Sequence, residues 1–144
     1  MSKQMNIAVA GCAGRMGRQL VSAAHAAGQI VSGGSEAPGA PDLGQDIGCL
    51  ANLKAFGVLA TDKLEHAASG AAAWMDFTVP AATLKALPLL PDLGVRAAII
   101  GTTGFSACEE QDIAAAASRL AIVKAGNFSL GVNLLEALVR QAAS

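Results

Sequence analysis

Short apolar, β-prone runs alternate with helix-periodic segments along the whole sequence, and several of the runs end at a glycine. Hydrophobic residues make up 53% of the chain and charged residues 15%, a balance typical of elements buried on both faces. Strands are predicted over residues 5–10, 29–35, 55–59, 72–77, 96–100 and 121–124, and helices over 15–27, 62–69, 81–90, 107–120 and 132–143. Because this alternation requires right-handed crossovers, we expect an α/β fold: a doubly wound parallel sheet of about six strands with helices on both faces.

Helix boundary signals separate several of these segments. Asp62 is a candidate N-cap, Pro80 is tolerated as a first helical residue, and Pro88 should end or kink the helix that Pro80 opens. Ser106 and Glu109 have the S-x-x-E spacing of a capping box. Residues 37–53 contain several glycines and prolines and are predicted to form a loop, which at that length is more often functional than idle.

Charge and composition exclude several classes of function. The formal charge of −1 leaves too little excess cation to neutralise the phosphates of a nucleic acid, and 3% aromatic residues with no Tyr provide few surfaces for base stacking. No uninterrupted apolar run is long enough to span a bilayer. The N-terminus reads as a first strand and not as a signal peptide, so we expect a cytoplasmic protein with no membrane partner.

Cysteine usage supports neither a disulfide framework nor a metal site. Cys12, Cys49 and Cys108 are odd in number and widely spaced, and only two histidines accompany them. We therefore expect no bound metal.

Glycines recur at every third position between the first strand and the first helix, as G-x-x-G-x-x-G over residues 11–17. In this setting Gly11 permits a tight turn, Gly14 lets the backbone approach a pyrophosphate, and Gly17 allows close packing of helix and strand. The amides and the helix dipole then face an anion. The alternative is a strand–helix turn with no ligand.

Two arginines lie in the first turn of that helix, whose N-terminus already carries about half a positive charge. Arg15 and Arg18 are each mildly unfavourable there unless an anion binds or the side chain points into water. We expect Arg15 to face an anion and Arg18 to lie on the solvated face.

Glu36 follows the second predicted strand, 19 positions after Gly17. At this spacing an acidic residue binds the ribose hydroxyls of an adenosine. Residues 29–53 contain no Lys or Arg that could compensate a 2′-phosphate, so NADH is expected to be preferred over NADPH, with Arg15 as the main route to NADPH use. The alternative for Glu36 is a solvated loop carboxylate.

Three further segments follow predicted strands, at residues 76–80, 101–105 and 125–129. The carboxyl ends of parallel strands line one crevice in an open α/β sheet. The glycines of these segments admit close backbone approach, Thr and Asn offer hydrogen bonds, and Phe77 or Phe128 could flank a nicotinamide ring. Each segment alone is equally compatible with turn and capping chemistry.

Four motifs together resemble the N-terminal part of dihydrodipicolinate reductase of bacterial lysine biosynthesis: G-x-x-G-R-M-G-R at 11–18, D-F-T-x-P at 76–80, G-T-T-G-F at 101–105 and N-F-S-L-G-V-N at 127–133. The resemblance implies a Rossmann-like domain that binds NAD(P)H for reduction of a cyclic imine dicarboxylate. It assigns the pyrophosphate to Gly11, Cys12, Ala13, Gly14, Arg15 and Met16, with Gly17 closing the motif, and the adenosine ribose to Glu36. It assigns the nicotinamide ribose to Phe77 and Thr78, the carboxamide to Gly101, Thr102 and Thr103, and closure over the nicotinamide to Ala125, Gly126, Asn127 and Phe128.

This sequence departs from the family pattern in two places and covers only part of it. Ala37 stands where the family often has a basic residue, and Gly126 where Ala or Pro is usual. Residues 1–131 are expected to form the dinucleotide-binding domain, and 132–144 the start of a helix leading to a substrate domain absent from this sequence. His25 and His66 are expected to be structural, and no residue is expected to be catalytic. The chain should therefore bind cofactor without turnover.

Two other classes of protein are alternatives to this interpretation. A short-chain dehydrogenase needs a Tyr and Lys pair, and the chain contains no Tyr. A free-standing nucleotide-sensing module needs only the binding residues, so it stays open. An unfinished sheet edge can pair with a second copy, which leaves room for a homo-oligomer.

Overall fold

The computed structural model describes residues 4–142, which form one five-stranded sheet flanked by helices. The sheet order is β2-β1-β3-β4-β5, and every neighbouring pair is parallel. The strands are β1 (Asn6–Ala10), β2 (Ile30–Ser35), β3 (Ala73–Asp76), β4 (Ala97–Ile100) and β5 (Ala121–Lys124). The helices are α1 (Arg15–Ala26), α2 (Ile47–Leu50), α3 (Leu64–Ala67), α4 (Pro80–Ala86), α5 (Ala107–Ala116) and α6 (Leu130–Ala142).

Two separate apolar clusters cover the two faces of the sheet. Along β1, Ala8 belongs to the cluster that packs under α4 and α5, whereas Ile7 and Val9 belong to the cluster that packs under α1 and α2. Successive side chains of a strand point to opposite faces, so β1 is buried on both sides. The predicted doubly wound parallel architecture is confirmed.

The predicted third strand at 55–59 does not form, which reduces the expected six strands to five. Leu59 makes a lone antiparallel bridge to Asp46 and is 57% exposed. The amides of residues 56–58 donate to the Asp46 carboxylate instead of to a neighbouring strand. Because their N–H groups already have an acceptor, residues 56–58 cannot donate to a neighbouring strand of the sheet. The edge of β2 is left with one parallel bridge, between Ser35 and Thr61.

Several helix ends differ from the sequence prediction by a few residues. Asp62 does not cap α3: Lys63 is the N-cap residue, and its amide donates to Thr61 Oγ1 at 3.1 Å. Helix α4 is Pro80–Ala86 and does not reach the predicted end at 90, because Pro88 cannot continue the helical ladder and ends the helix, one of the two effects expected of it. Helix α5 is shorter than predicted, ending at Ala116, although its capping box is present.

Helix α6 starts two residues earlier than predicted, and the predicted end at 143 lies outside the described residues, as do positions 1–3 and 144. No helix within residues 4–142 is long and apolar enough to cross a bilayer.

Candidate functional site

The turn between β1 and α1 can be made only with glycine at two of its positions. Gly11 has φ +61°, and a Cβ there would lie 2.9 Å from Thr78 Cγ2. A Cβ on Gly17 would lie 1.9 Å from the Gly11 carbonyl oxygen, closer than real atoms approach. The turn therefore folds back tightly on the first turn of α1, which matches the roles predicted for these two glycines.

The amides of this turn divide into an occupied set and a free set. Within the turn, Cys12 N donates to Ser35 O at 3.1 Å, Ala13 N to Glu36 Oε1 at 2.7 Å, and Gly14 N to Gly11 O at 3.0 Å. The next three amides, of Arg15, Met16 and Gly17, donate to no acceptor within residues 4–142. Helix α1 has no side-chain N-cap bond and no acidic residue in its first turn. Its positive end is thus available to an anion from outside the chain.

The two arginines of α1 are arranged differently from each other. Arg15 is exposed beside the free amides, where a cation faces the positive helix end without a protein counter-charge from α1. Arg18 is not simply solvated, as the sequence suggested: its Nε donates to Ala13 O at 2.6 Å, and its guanidinium lies 3.9 Å from Asp42. The physical reason is that the Ala13 carbonyl lies one turn before Arg18 and accepts its guanidinium hydrogen bond.

Glu36 lies at the glycine turn, because its carboxylate accepts the Ala13 amide. The side chain is only partly buried and lines two cavities, both of which are also lined by Gly11 and Thr78. The sequence interpretation required this proximity, since a carboxylate far from the turn could not share a ligand with it. A single group bound at the turn could therefore touch both the free amides and Glu36.

The two cavities lie at the carboxyl ends of β1 and β3. The turn cavity has a volume of about 540 Å³ and is lined by the first turn of α1 together with Glu36, Phe77 and Thr78. The helix cavity has a similar volume of about 540 Å³ and extends between α3 and α4. Its lining is largely apolar, with Trp74 on the strand side. Trp74 is 2% exposed, and its indole Nε1 has no acceptor within residues 4–142.

Sequence reasoning missed two cations of the helix cavity. Lys63 and Lys85 line this cavity together with Glu36, although both lie outside the segment 29–53, which contains no Lys or Arg. Lys63 Nζ is 3.9 Å from Asp62 Oδ1. The helical alternation could have indicated Lys85, because α4 follows β3 and its first turns face the same edge of the sheet.

A buried carboxylate connects the ends of β3 and β4. Asp76 is 1% exposed, and its Oδ1 accepts from Thr78 N at 3.0 Å, Thr78 Oγ1 at 2.6 Å and Thr102 Oγ1 at 3.2 Å. Thr83 of α4 donates to Thr102 Oγ1 at 3.0 Å. A buried carboxyl group requires such hydrogen-bond partners. Because Thr78 donates its hydroxyl hydrogen to Asp76, it can present only an acceptor to a ligand.

Two aromatic rings from separate strand ends meet beside Gly101. The Phe77 and Phe128 centroids are 5.3 Å apart with their planes at 51°. A Cβ on Gly101 would lie 2.1 Å from Phe77 Cε1, so the glycine makes room for the ring. The three predicted strand-end segments are therefore brought together at one edge of the sheet.

The remaining residues proposed from the sequence occupy this edge in different ways. Thr102 is buried and faces the Asp76 network, whereas Thr103 is exposed. Ala125 N donates to Ile100 O at 3.2 Å, and Asn127 Oδ1 accepts from Ser129 N at 2.7 Å within its own turn. Gly126 has open space around it.

The residues with reactive side chains elsewhere lie away from this crevice or are inert. Burial, and then the nearby negative charge of Glu36, raises the pKa of the Cys12 thiol to about 12, so the thiol stays protonated. His25, near the end of α1, packs against Phe56 with centroids 5.0 Å apart. Within residues 4–142, no cluster of three or more His, Cys, Asp or Glu side chains could hold a metal ion.

The sheet order, the glycine turn after β1 and the acidic residue at the end of β2 define a Rossmann-like α/β domain. Residues 5–128 match the family model described as dihydrodipicolinate reductase, N-terminus. The chain belongs to the dihydrodipicolinate reductase family.

Individual relatives agree with this assignment. The chain is 48% identical to a 4-hydroxy-tetrahydrodipicolinate reductase of Parvibaculum lavamentivorans, over 99% of this chain and 53% of that protein. It is 46% identical to the enzyme of the same name from Afipia carboxidovorans, over 96% of this chain and 51% of that protein. The chain thus spans about half the length of these relatives.

A solved structure supports the fold. The dipicolinate-bound dihydrodipicolinate reductase of Paenisporosarcina sp. TG-14 superposes with a TM-score of 0.73 at 23% identity, covering 98% of this chain and 54% of that chain.

Proposed function

We propose that this chain binds a nicotinamide dinucleotide in the crevice at the carboxyl ends of β1, β3 and β4. The observation that carries the proposal is the set of three free amides at the start of α1, beside a carboxylate already fixed at the same turn. Free helix N-terminal amides favour a pyrophosphate, and a carboxylate accepts hydrogen bonds from the hydroxyls of a ribose diol. The two adjoining cavities offer space for the two halves of such a molecule.

In this proposal the adenosine half occupies the helix cavity and the nicotinamide half lies toward the strand ends. The amides of Arg15, Met16 and Gly17 bind the pyrophosphate, and Gly14 keeps the approach free of a side chain. Glu36 binds the adenosine ribose, and the segments around Phe77, Gly101 and Phe128 surround the nicotinamide. Cys12, Ala13 and Thr102 contribute by holding the turn and the strand ends in shape, since their polar groups already have protein partners.

We propose that NADH is preferred and that NADPH also binds. Glu36 would repel a 2′-phosphate, and residue 37 is an alanine. Lys63 and Lys85 line the same cavity and are the cations available to offset that repulsion. A Lys85→Ala variant should weaken NADPH binding and leave NADH binding nearly unchanged.

The reaction that we propose is that of the relatives, the reduction of a cyclic imine dicarboxylate. The bound dinucleotide would supply the hydride. The titratable residues that line the turn cavity are Arg15 and Glu36, and both already hold the dinucleotide in the proposed function, so neither is assigned to protonate the nitrogen of the reduced imine. We therefore propose that the substrate pocket and the proton donor belong to the half of the relatives that this chain does not span.

The same proposal divides the chain at residue 131. Residues 1–131 form the dinucleotide-binding domain, and 132–144 lead toward the substrate-binding part. The competing function is a nucleotide-binding module without catalysis, for which the same binding residues suffice. A separately produced second half of a relative distinguishes the two, since turnover on mixing supports the reductase. The setting that we propose is cytoplasmic.

A thermal-shift titration with NADH and NADPH tests the binding proposal. A ligand at a hundredfold excess over its dissociation constant should stabilise the fold by about 2.7 kcal/mol. Glu36→Ala should reduce the shift strongly, whereas Asp112→Asn, on the exposed face of α5, should leave it unchanged. The absence of a shift with both dinucleotides would contradict the proposal.

A further inference from the structure

The Asp46 carboxylate is surrounded by backbone amides from two stretches of the chain. Oδ1 accepts from Gly48 N at 2.8 Å, Cys49 N at 3.2 Å and Phe56 N at 3.0 Å, and Oδ2 accepts from Phe56 N at 3.1 Å, Gly57 N at 2.7 Å and Val58 N at 3.2 Å. An N-cap carboxylate ordinarily satisfies one or two amides of its own helix. Asp46 satisfies two in α2 and three more about ten residues along the chain.

Next to Asp46, backbone hydrogen bonds join residues 44–47 to residues 58–60 in a short antiparallel pair, called the ribbon below. Ile47 N donates to Val58 O, Ala60 N to Gln45 O, and Gly44 N to Ala60 O, each at 2.9 Å. Ile47 is fully buried in the cluster beneath α1, so the ribbon is anchored to the core at that end. Asp46 lies where the ribbon meets α2, and its two oxygens join both sides.

The ribbon ends at Thr61, which pairs with the end of β2. Thr61 N donates to Gly34 O at 3.1 Å, and Glu36 N donates to Thr61 O at 2.9 Å. Glu36 in turn accepts the Ala13 amide at 2.7 Å. Glu36 is the first residue after β2, and its amide is held by the Thr61 carbonyl oxygen. The backbone position of Glu36 therefore depends on where the ribbon places Thr61.

We propose that Asp46 is a positioning residue that, through the ribbon and Thr61, fixes the Glu36 carboxylate where it binds the adenosine ribose. This inference rests on the proposed function and deepens it by assigning a role to a residue outside the crevice. Asp46 touches no ligand itself. Its effect is expected on the adenosine half, because Asp46 acts through Glu36, which binds the ribose of that half in the proposed function.

The test compares ligands that contain or lack the adenosine ribose, using calorimetry on the whole chain. ADP-ribose contains it, and reduced nicotinamide mononucleotide does not. Asp46→Asn places an N–H₂ group among amides and should weaken ADP-ribose binding about tenfold, while mononucleotide binding changes by less than about twofold. Asp112→Asn is the matched control, because it removes the same charge from an exposed position and should change neither affinity.

A gentler variant protects the test against loss of folding. Gly57 donates to Asp46 Oδ2 from a φ of +76°, which an alanine adopts poorly. Gly57→Ala should weaken ADP-ribose binding about threefold without touching the carboxylate. Circular dichroism shows whether each variant is folded. If Asp46→Asn is unfolded, the affinity of Gly57→Ala for ADP-ribose alone decides the outcome.

A double variant separates positioning from a general loss of stability. If Asp46 acts through Glu36, Glu36→Ala combined with Asp46→Asn should bind ADP-ribose as weakly as Glu36→Ala alone. Additive losses would overturn the inference, as would equal losses for both ligands. If the wild-type chain binds ADP-ribose, and Glu36→Ala weakens this binding but Asp46→Asn does not, the inference about Asp46 is wrong while the proposed function stands. If the wild-type chain binds no ADP-ribose, the proposed function fails with it.

Discussion

Single residues of the glycine turn show what spacing can predict and where it stops. Gly11 and Gly17 have the tight-turn and close-packing roles expected from their positions, because both requirements are properties of the backbone. Arg18 was misassigned, since the sequence cannot show that the Ala13 carbonyl lies within its reach. The hydrogen bond from Thr102 to Asp76, which joins the ends of β3 and β4, was likewise invisible in the sequence.

Gly17→Ala should destabilise the fold by about 1–3 kcal/mol, because the new Cβ would collide with the Gly11 carbonyl oxygen. Urea unfolding followed by circular dichroism measures the loss. Gly126→Ala is the control, since nothing lies within 4 Å of a Cβ at that position. An unchanged midpoint for Gly17→Ala would mean that the turn relaxes more easily than its packing indicates.

The thiol of Cys12 should be unreactive in the folded chain, because burial and the Glu36 charge raise its pKa to about 12. Cys49 and Cys108 are exposed. A thiol reagent at mildly alkaline pH should therefore modify these two quickly and Cys12 only after denaturant is added. Mass spectrometry of the modified peptides identifies each site, and rapid labelling of Cys12 in the native chain would contradict the expectation.

At the scale of elements, the alternation of strands and helices was predictable, and the segment that failed has a local cause. Residues 55–59 have strand-like composition, yet the Asp46 carboxylate takes the amides that a strand would need. A contact between residues ten or more positions apart leaves no periodic signal. The capping box of α5, in contrast, depends on residues three apart and was predicted correctly.

Asp46→Asn should lower stability most near neutral pH. Backbone hydrogen bonds, first that from Phe56, hold the pKa of Asp46 below its ordinary value. A depressed pKa means that the ionised group stabilises the fold above the unfolded-state pKa of about 3.9, and that this contribution is lost as pH falls through the folded-state pKa. The free energy of unfolding should therefore be lower for the variant than for the wild type at pH 7, and the difference between them should be smaller at pH 3. A difference that grows on acidification would contradict this assignment.

At the scale of the whole molecule, the last helix, α6, leaves several large apolar side chains exposed. Leu130 is 84% exposed and Leu135 60% exposed, and Leu134, Leu138 and Val139 are also exposed. The sequence predicted this apolar stripe on the last helix. Exposed apolar patches of this kind favour association with other surfaces.

We expect the isolated chain to associate through this apolar stripe of α6 as its concentration rises. Leu135→Glu should shift sedimentation toward the monomer, because a charge on the stripe must be desolvated on association. Gln111→Glu, on exposed α5, adds the same charge elsewhere and should have no effect. A wild-type chain that stays monomeric at high concentration would exclude self-association through this stripe.

Trp74 gives the crevice an optical property of its own. It is the one tryptophan of the sequence and lies in the wall of the helix cavity, shielded from water. Indole emission overlaps the absorption band of a reduced nicotinamide ring and not that of the oxidised ring. Excitation of this single side chain would therefore transfer energy to a reduced cofactor in the crevice. The intensity of the tryptophan fluorescence would then distinguish the reduced from the oxidised cofactor without any label.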